Sequence, residues 1–224
     1  MKKLQSLAVG MGLAIILPAA TWAQCDENNL HEAHFSGHSQ HASAAGTFAN
    51  TEVVTAYEII NTTQVNPWYP WDQANYQYTL VISATSTGTV NIPIGGGTSL
   101  RQVGFSGGSF AFYEDAGTAA NYANTATFTD GALILSGSLS NMTAEGLVNG
   151  VTPENLAITG TATITGGSAI GDVLCTELLM NDFIAWLPAT SPAGYKEAYD
   201  SKWECCVVTS TDAATWGRLK GLYR

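Results

Sequence analysis

Apolar and polar residues alternate with a repeat of two through much of the chain, between about residues 51 and 167. Gly and Asn residues interrupt the pattern, so the runs are short. The runs are 53–59, 76–82, 89–94, 109–113, 123–129, 132–139 and 156–165. Because successive side chains of a strand point to opposite faces, this pattern predicts an antiparallel β-sandwich, with a β-barrel as the alternative.

Individual elements follow from the same pattern. In the first run Val53, Thr55, Tyr57 and Ile59 share one face, which we expect to face the core. The Asp130-Gly131 pair predicts a tight turn between two strands. After Asp172 the spacing favours a helix over 176–184, then a loop and a last strand over 206–211. The prediction is therefore an all-β domain, residues 48–224, with a small helical or irregular C-terminal segment.

The first residues have the features of a secretory signal peptide. A short basic start, MKK, precedes the apolar run LAVGMGLAIILPAA, and Thr21 and Ala23 occupy the −3 and −1 positions of a cleavage site before Gln24. The apolar run is shorter than the roughly 20 residues that a membrane span needs. We expect removal of residues 1–23 and a secreted, periplasmic or extracellular protein without a transmembrane segment.

Export makes disulfides possible, and the chain has four cysteines: Cys25, Cys175, Cys205 and Cys206. Adjacent cysteines rarely bridge each other, because their Cα atoms lie only about 3.8 Å apart. Two pairings remain. Cys25 pairs with Cys205 and Cys175 with Cys206, or Cys25 pairs with Cys206 and Cys175 with Cys205.

The charge of the chain is strongly acidic. Loss of Lys2 and Lys3 with the signal peptide leaves six basic residues against eighteen acidic ones, and Arg101 is the only basic residue between Gln24 and Gly194. Such a surface repels phosphate backbones, so nucleic acid is not an expected partner.

The stretch FAFYEDAGTAANYANTATFTDGALILSGSLSN, residues 110–141, carries a family resemblance. An aromatic strand that ends in acidic residues is followed by a loop, an F-x-D-G turn and a strand with L-x-L-S-G. The residues that carry it are Phe112, Tyr113, Asp115, Phe128, Asp130, Gly131, Leu133, Leu135, Ser136 and Gly137. This pattern resembles secreted bacterial proteins that often have PEP-CTERM sorting tails. The resemblance implies an extracellular β-sandwich of matrix or surface character and no catalytic residues. The sorting motif itself is missing here, so we do not expect anchoring by that route.

All four histidines lie close together, at His31, His34, His38 and His41. Their spacing would place them on one face of a helix, where they could bind copper or zinc. Gly37 and the nearby serines are poor helix formers, but metal binding could supply the missing stability. The alternative is a flexible polar arm over 24–47 without a metal site.

The loop NPWYPWDQANYQY, residues 66–78, is the second candidate site. Trp68, Tyr69 and Trp71 stand next to Asp72 and other polar residues. Exposed aromatic rings beside polar groups can hold sugar rings, which predicts glycan binding. Loop aromatics also close the ends of β domains, so a structural plug is the other interpretation.

The sequence gives weaker evidence for a Ca²⁺ site and for catalysis. Glu114, Asp115, Asp130 and Glu145 could contribute to a Ca²⁺ site, but no DxDxDG-type loop is present. There is also no HExxH, phosphate-loop or CxxCH motif.

Three functions follow from the sequence. The first is an exported, non-enzymatic protein with a structural or binding role at the cell surface or in the extracellular matrix, with polysaccharide or matrix proteins as partners. The second is a copper- or zinc-binding protein that uses the histidines. The third is a glycan-binding or glycan-active protein that uses the Trp68–Trp71 loop.

Overall fold

A computed structural model describes residues 30–61, 67–149, 155–185 and 191–206. Within these residues eight strands follow one another in chain order. They are β1 (Leu30–Gln40), β2 (Asn50–Ile60), β3 (Gln77–Gly95), β4 (Thr98–Asp115), β5 (Ala132–Asn149), β6 (Asn155–Gly166), β7 (Glu177–Ala185) and β8 (Ala198–Cys206). Each strand pairs antiparallel with the next, as expected for sequential strands joined by loops.

The first strand also pairs with the last, so the sheet closes on itself as a barrel. The register places Leu30 opposite Cys206 and His38 opposite Ala198. The all-β class predicted from the sequence is confirmed. The closed sheet is the barrel that the sequence offered as the alternative to a sandwich. The sequence could not separate the two architectures, because the alternation of side chains is the same in both.

Side chains from alternate positions of each strand fill the barrel. Five large aromatic rings meet in it: Phe35, Trp68, Phe110, Phe112 and Trp203, each at most 2% exposed. Their centroids are 5.2 Å apart for Phe110 and Trp203 and 5.4 Å for Phe35 and Phe112, distances that suit aromatic pairs. One internal void among the described residues has a volume of about 20 Å³, room for about one water molecule.

The loop between β2 and β3 closes one end of the barrel. The Trp68 indole N–H donates to the Trp203 carbonyl oxygen at 3.0 Å, and the Leu174 N–H donates to the Trp68 carbonyl oxygen at 3.1 Å. A disulfide between Cys175 and Cys205 ties the neighbouring loop to β8. This bond belongs to the second of the two pairings that the sequence allowed. The other bond of that pairing would join Cys206 to Cys25, which lies outside the described residues.

Strand β1 corrects the prediction of a flexible arm over 24–47. Its backbone pairs on both sides, and its inward side chains Ala33 and Phe35 are fully buried. The prediction failed because the polar residues of HEAHFSGHSQH conceal a period of two in which the inward positions are small or apolar.

Three other local predictions are also wrong. Residues 176–184 form strand β7 instead of a helix, because backbone pairing with both β6 and β8 outweighs a weak helical spacing. Residues 123–129 form a loop with a short 3₁₀ helix, Thr125–Phe128. Asp130-Gly131 precedes β5 but does not join two strands, since β4 already ends at Asp115.

The signal peptide over 1–23 and residues 207–211 of the predicted last strand lie outside the described residues. Strand β8 ends at Cys206, where that prediction began. No helix in the described ranges is both long and apolar enough to span a bilayer.

Trp68→Ala tests the plug. The substitution removes a fully buried indole and its hydrogen bond, so we expect a loss of about 3–5 kcal/mol in the free energy of unfolding, measured by urea denaturation. Tyr76→Ala, in the same loop but at an exposed ring, is the control and should change stability by about 0.5 kcal/mol or less. Equal losses for the two variants would contradict the plug.

Candidate functional site

The structure does not bring the four histidines together. On a strand, residues 31 and 34 or 38 and 41 point to opposite faces, and no group of His, Cys, Asp or Glu side chains in the described part of the chain is arranged to hold a metal ion. The predicted helical stripe of metal ligands is therefore wrong. His34 lies outside next to Glu32, with 3.1 Å between Nε2 and the carboxylate. His38 packs among aromatic rings, 4.8 Å from Tyr122 between centroids, and burial there lowers its pKa.

His41 instead joins two acidic residues at the end of the barrel opposite Trp68. Its Nε2 lies 2.9 Å from both carboxylate oxygens of Glu197, and its Nδ1 lies 3.3 Å from Glu52. The His41 and Glu197 side chains are fully buried. Each ring nitrogen of this buried imidazole therefore lies within hydrogen-bond distance of a carboxylate. The Ser39 hydroxyl and the Gly46 N–H also donate to Glu197.

Glu52 organises the loop between β1 and β2. Burial opposes ionisation of its carboxylate, but hydrogen bonds from the Ser43 hydroxyl and from the N–H groups of Ala49 and Ser43, together with His41, hold its pKa at about 2. The two Ser43 bonds measure 2.6 and 2.7 Å. A carboxylate bound this firmly stabilises the loop rather than accepting protons at neutral pH.

Glu58 lies inside the barrel, opposite Gly37. A Cβ at Gly37 would lie 2.6 Å from the Glu58 Cα, so only glycine allows this close approach of β1 and β2. Burial raises the pKa of Glu58 to about 7, although the Ser201 hydroxyl donates to one of its oxygens; Asp200 adds to the rise. The other oxygen has no hydrogen-bond partner among the described residues.

The predicted sugar-binding loop points inwards. Trp68 is fully buried and Tyr69 is 8% exposed, so neither ring can stack on a ligand. Trp71 is half-buried against Phe35, 5.8 Å away between centroids, and only Asp72 of the four predicted residues is exposed. The geometry fits the structural plug.

The acidic turns form no group of three or more side chains that could hold a metal ion in the described residues. Both oxygens of Asp115 accept backbone N–H groups, from Gly117 at 2.7 Å and Thr118 at 3.0 Å, and Glu145 accepts the Gln102 amide at 2.7 Å. These carboxylates have local partners and are not arranged as Ca²⁺ ligands.

A three-stranded extension projects beyond the closed part of the barrel. We call it the tongue and define it as residues 89–103 and 145–149. Pairing of β2 with β3 ends at Thr87, and pairing of β5 with β6 ends at Glu145, so among the described residues β3, β4 and β5 continue without a further paired strand. The Arg101 guanidinium donates to the Gly46 carbonyl oxygen at 2.5 Å, so the loop between β1 and β2 covers the inner face of the tongue.

The outer face of the tongue is apolar and bare. Val90, Ile94 and Leu147 are 57–58% exposed, and Ile92 is 41% exposed. Ile92, Leu100 and Leu147 lie side by side in the strand register, so they form a continuous row. Four of the nine large hydrophobic side chains that are exposed in the described residues therefore lie in the tongue, and such patches mark interaction sites.

Comparison with known proteins adds no relative: no protein-family model, curated protein or solved structure matches this chain. The function must be argued from the molecule alone.

Several of these features escaped the sequence analysis. Glu58 and Glu197 carry no sequence signal, because burial of an acidic residue depends on strands distant in the chain. The tongue did leave one: in VNIPIGGG, Pro93 interrupts an apolar run, and proline within such a run indicates an edge strand.

Glu58→Gln tests the buried acid. Its folded pKa of about 7 exceeds the unfolded value near 4.5, so the folded state keeps a proton that the unfolded state loses. The free energy of unfolding should fall as pH rises from about 4.5 to about 7 and then level off. Gln stays neutral, so the variant should lose most of this slope. Above pH 7 its free energy of unfolding, measured by urea denaturation, should exceed that of the wild type. The exposed control Glu177→Gln should keep the slope, and an unchanged slope in Glu58→Gln would count against a buried neutral acid.

Glu52→Gln tests the opposite shift. The folded pKa of Glu52, about 2, is lower than the usual 4.5, so its contribution to stability is present above pH 4.5 and is lost as pH falls towards 2. The variant should be less stable at neutral pH and should show a shallower acid limb in thermal melts between pH 2 and pH 5. A variant with wild-type stability at pH 7 would disprove the anchoring role of this carboxylate.

Proposed function

We propose that this protein is exported and has a non-enzymatic, structural role at the cell surface or in the extracellular matrix, where two copies associate through the outer faces of their tongues. The observation that carries the proposal is the apolar row of Ile92, Leu100 and Leu147, in which Leu100 is half-buried and the two outer members are exposed. The exposed side chains of Val90 and Ile94 lie beside it.

Charge favours a second copy as the occupant of this face. The chain has eighteen acidic residues against eight basic ones, so most of its surface repels another copy. The outer face of the tongue carries one charged residue, Glu145, whose carboxylate already accepts the Gln102 amide. Two copies can therefore meet here with the least repulsion, and a two-fold axis brings like apolar residues together.

Packing of face on face suits the tongue better than addition of strand to strand. Pro93 has no N–H and weakens the exposed edge of β3 as a template for another strand. Two apolar sheets can instead pack about 10 Å apart, as in β-sandwiches, with the side chains of Ile92 and Leu147 interleaved.

Export is supported by the signal-like N-terminal sequence and by the Cys175–Cys205 disulfide, since such bonds persist in oxidising compartments. The filled barrel interior favours function at the outer surface. Its buried His41–Glu197 pair is sealed from solvent, which suits a structural element better than a catalytic one.

The double variant Ile92→Lys with Leu147→Lys tests the tongue. Sedimentation velocity of the purified wild type over a concentration series should show a monomer–dimer equilibrium that shifts to dimer at higher salt, because salt screens the repulsion between acidic copies. The variant should remain monomeric and, when expressed in cells, should move from the cell-surface or matrix fraction to the medium.

Leu174→Lys is the matched control, because Leu174 is 52% exposed but lies in the loop before β7. It should dimerise and fractionate like the wild type. A wild type that is monomeric at all concentrations, or a double variant that still dimerises, would refute association through the tongue.

A further inference from the structure

We infer that the cleft at the opposite end of β3 from the tongue is a binding site for neutral carbohydrate. The cleft has a volume of about 310 Å³ and lies between two loops, residues 73–77 and 115–119. This volume is at the lower end of the range for small-ligand sites and suits one or two sugar rings.

Tyr76 supplies an aromatic platform in this cleft. It is 37% exposed, and it is the only exposed aromatic ring among the side chains that the structure describes. Every other aromatic ring with a described side chain is buried or half-buried, so Tyr76 is an exception in this protein. The C–H groups on one face of a pyranose ring are apolar and stack on such a ring, while the hydroxyl groups stay free for hydrogen bonds.

The loop holds Tyr76 in a fixed position. The N–H groups of Asn75 and Tyr76 both donate to the Asp72 carbonyl oxygen, at 3.2 and 3.0 Å. The Asp72 N–H in turn donates to the hydroxyl of buried Tyr78 at 3.0 Å. A platform that is already rigid loses little conformational entropy on binding, which favours affinity.

Polar groups on both walls can orient a sugar. Gln73 donates its amide nitrogen to the Asn61 carbonyl at 2.9 Å, which leaves its amide oxygen as an acceptor, and Asn75 uses one N–H on Asp72. Thr118 adds a hydroxyl from the facing loop. Ala74, Ala116 and Ala119 have small side chains that leave the cleft open.

The charges of the cleft select the class of sugar. Asp115 lines the cleft, and residues 73–77 and 115–119 include no Lys or Arg, so uronic acids and phosphorylated sugars are repelled. A cation is a poor alternative, because both oxygens of Asp115 already accept N–H groups. Neutral hexose or pentose units are the ligands that remain.

Calorimetric titration of the purified protein with cellohexaose, mannohexaose, xylohexaose and trigalacturonic acid tests the site. At least one neutral oligosaccharide should bind, and trigalacturonic acid should not. Tyr76→Ala should weaken the neutral sugar at least about tenfold, which corresponds to about 1.4 kcal/mol. Tyr76→Phe keeps the ring and should stay within about threefold of the wild type.

Ile92→Lys is the control, because it alters the tongue and leaves the cleft unchanged. It should bind the sugar like the wild type, so sugar binding and dimerisation can each fail without the other. Failure of all three neutral oligosaccharides to bind at millimolar concentration would overturn the proposal. Equal affinity of Tyr76→Ala and the wild type, with matching thermal melts, would overturn it as well.

Discussion

Pairing of β1 with β8 is the contact on which the rest of the structure depends. It joins the two ends of the described chain, and it converts a row of sequential hairpins into a closed ring. In the described residues this closure removes the edges that β1 and β8 would otherwise expose. The ring creates an enclosed volume that Phe112 and Trp203 fill from opposite sides, and Trp68 then caps it. Without this pairing, the inward faces of β1 and β8 would be exposed to solvent together with the rings that pack on them.

The sequence predicts the class of fold well because period-two patterning is a local property. It predicts the faces of strands less well. In β2 the expected inward residue Val53 is 56% exposed, while Val54 and Glu58 face the interior. Tyr57 points outwards although it is apolar, because Phe128 covers it there, 5.3 Å away between ring centroids. Where another segment covers the outside of a strand, both faces are apolar and only distant contacts decide which one is inside.

The distribution of charge in this protein is unusual. Glu58 and Glu197 are fully buried, while the apolar side chains of Ile94 and Leu147 are more than half exposed. Each buried acid has a polar partner: the Ser201 hydroxyl donates to Glu58, and the His41 imidazole lies against Glu197. Neither contact could be predicted from the sequence, because both depend on residues distant in the chain. Glu58 is paired with Gly37 of β1, and Glu197 is held by the loop between β1 and β2. The exposed apolar residues, in contrast, have no covering segment in the described structure.

Strand β3 connects the two proposed contact surfaces. It runs from Gln77, next to the cleft, to Gly95 at the tip of the tongue, and its 19 residues correspond to about 60 Å of extended backbone. If the tongue holds another copy and the cleft holds a polymer, a pull between them acts along this strand. The ladder bonds to β2 and β4 lie across that direction, so they bear the load together in shear instead of breaking one at a time. A barrel with such a strand is suited to transmit tension.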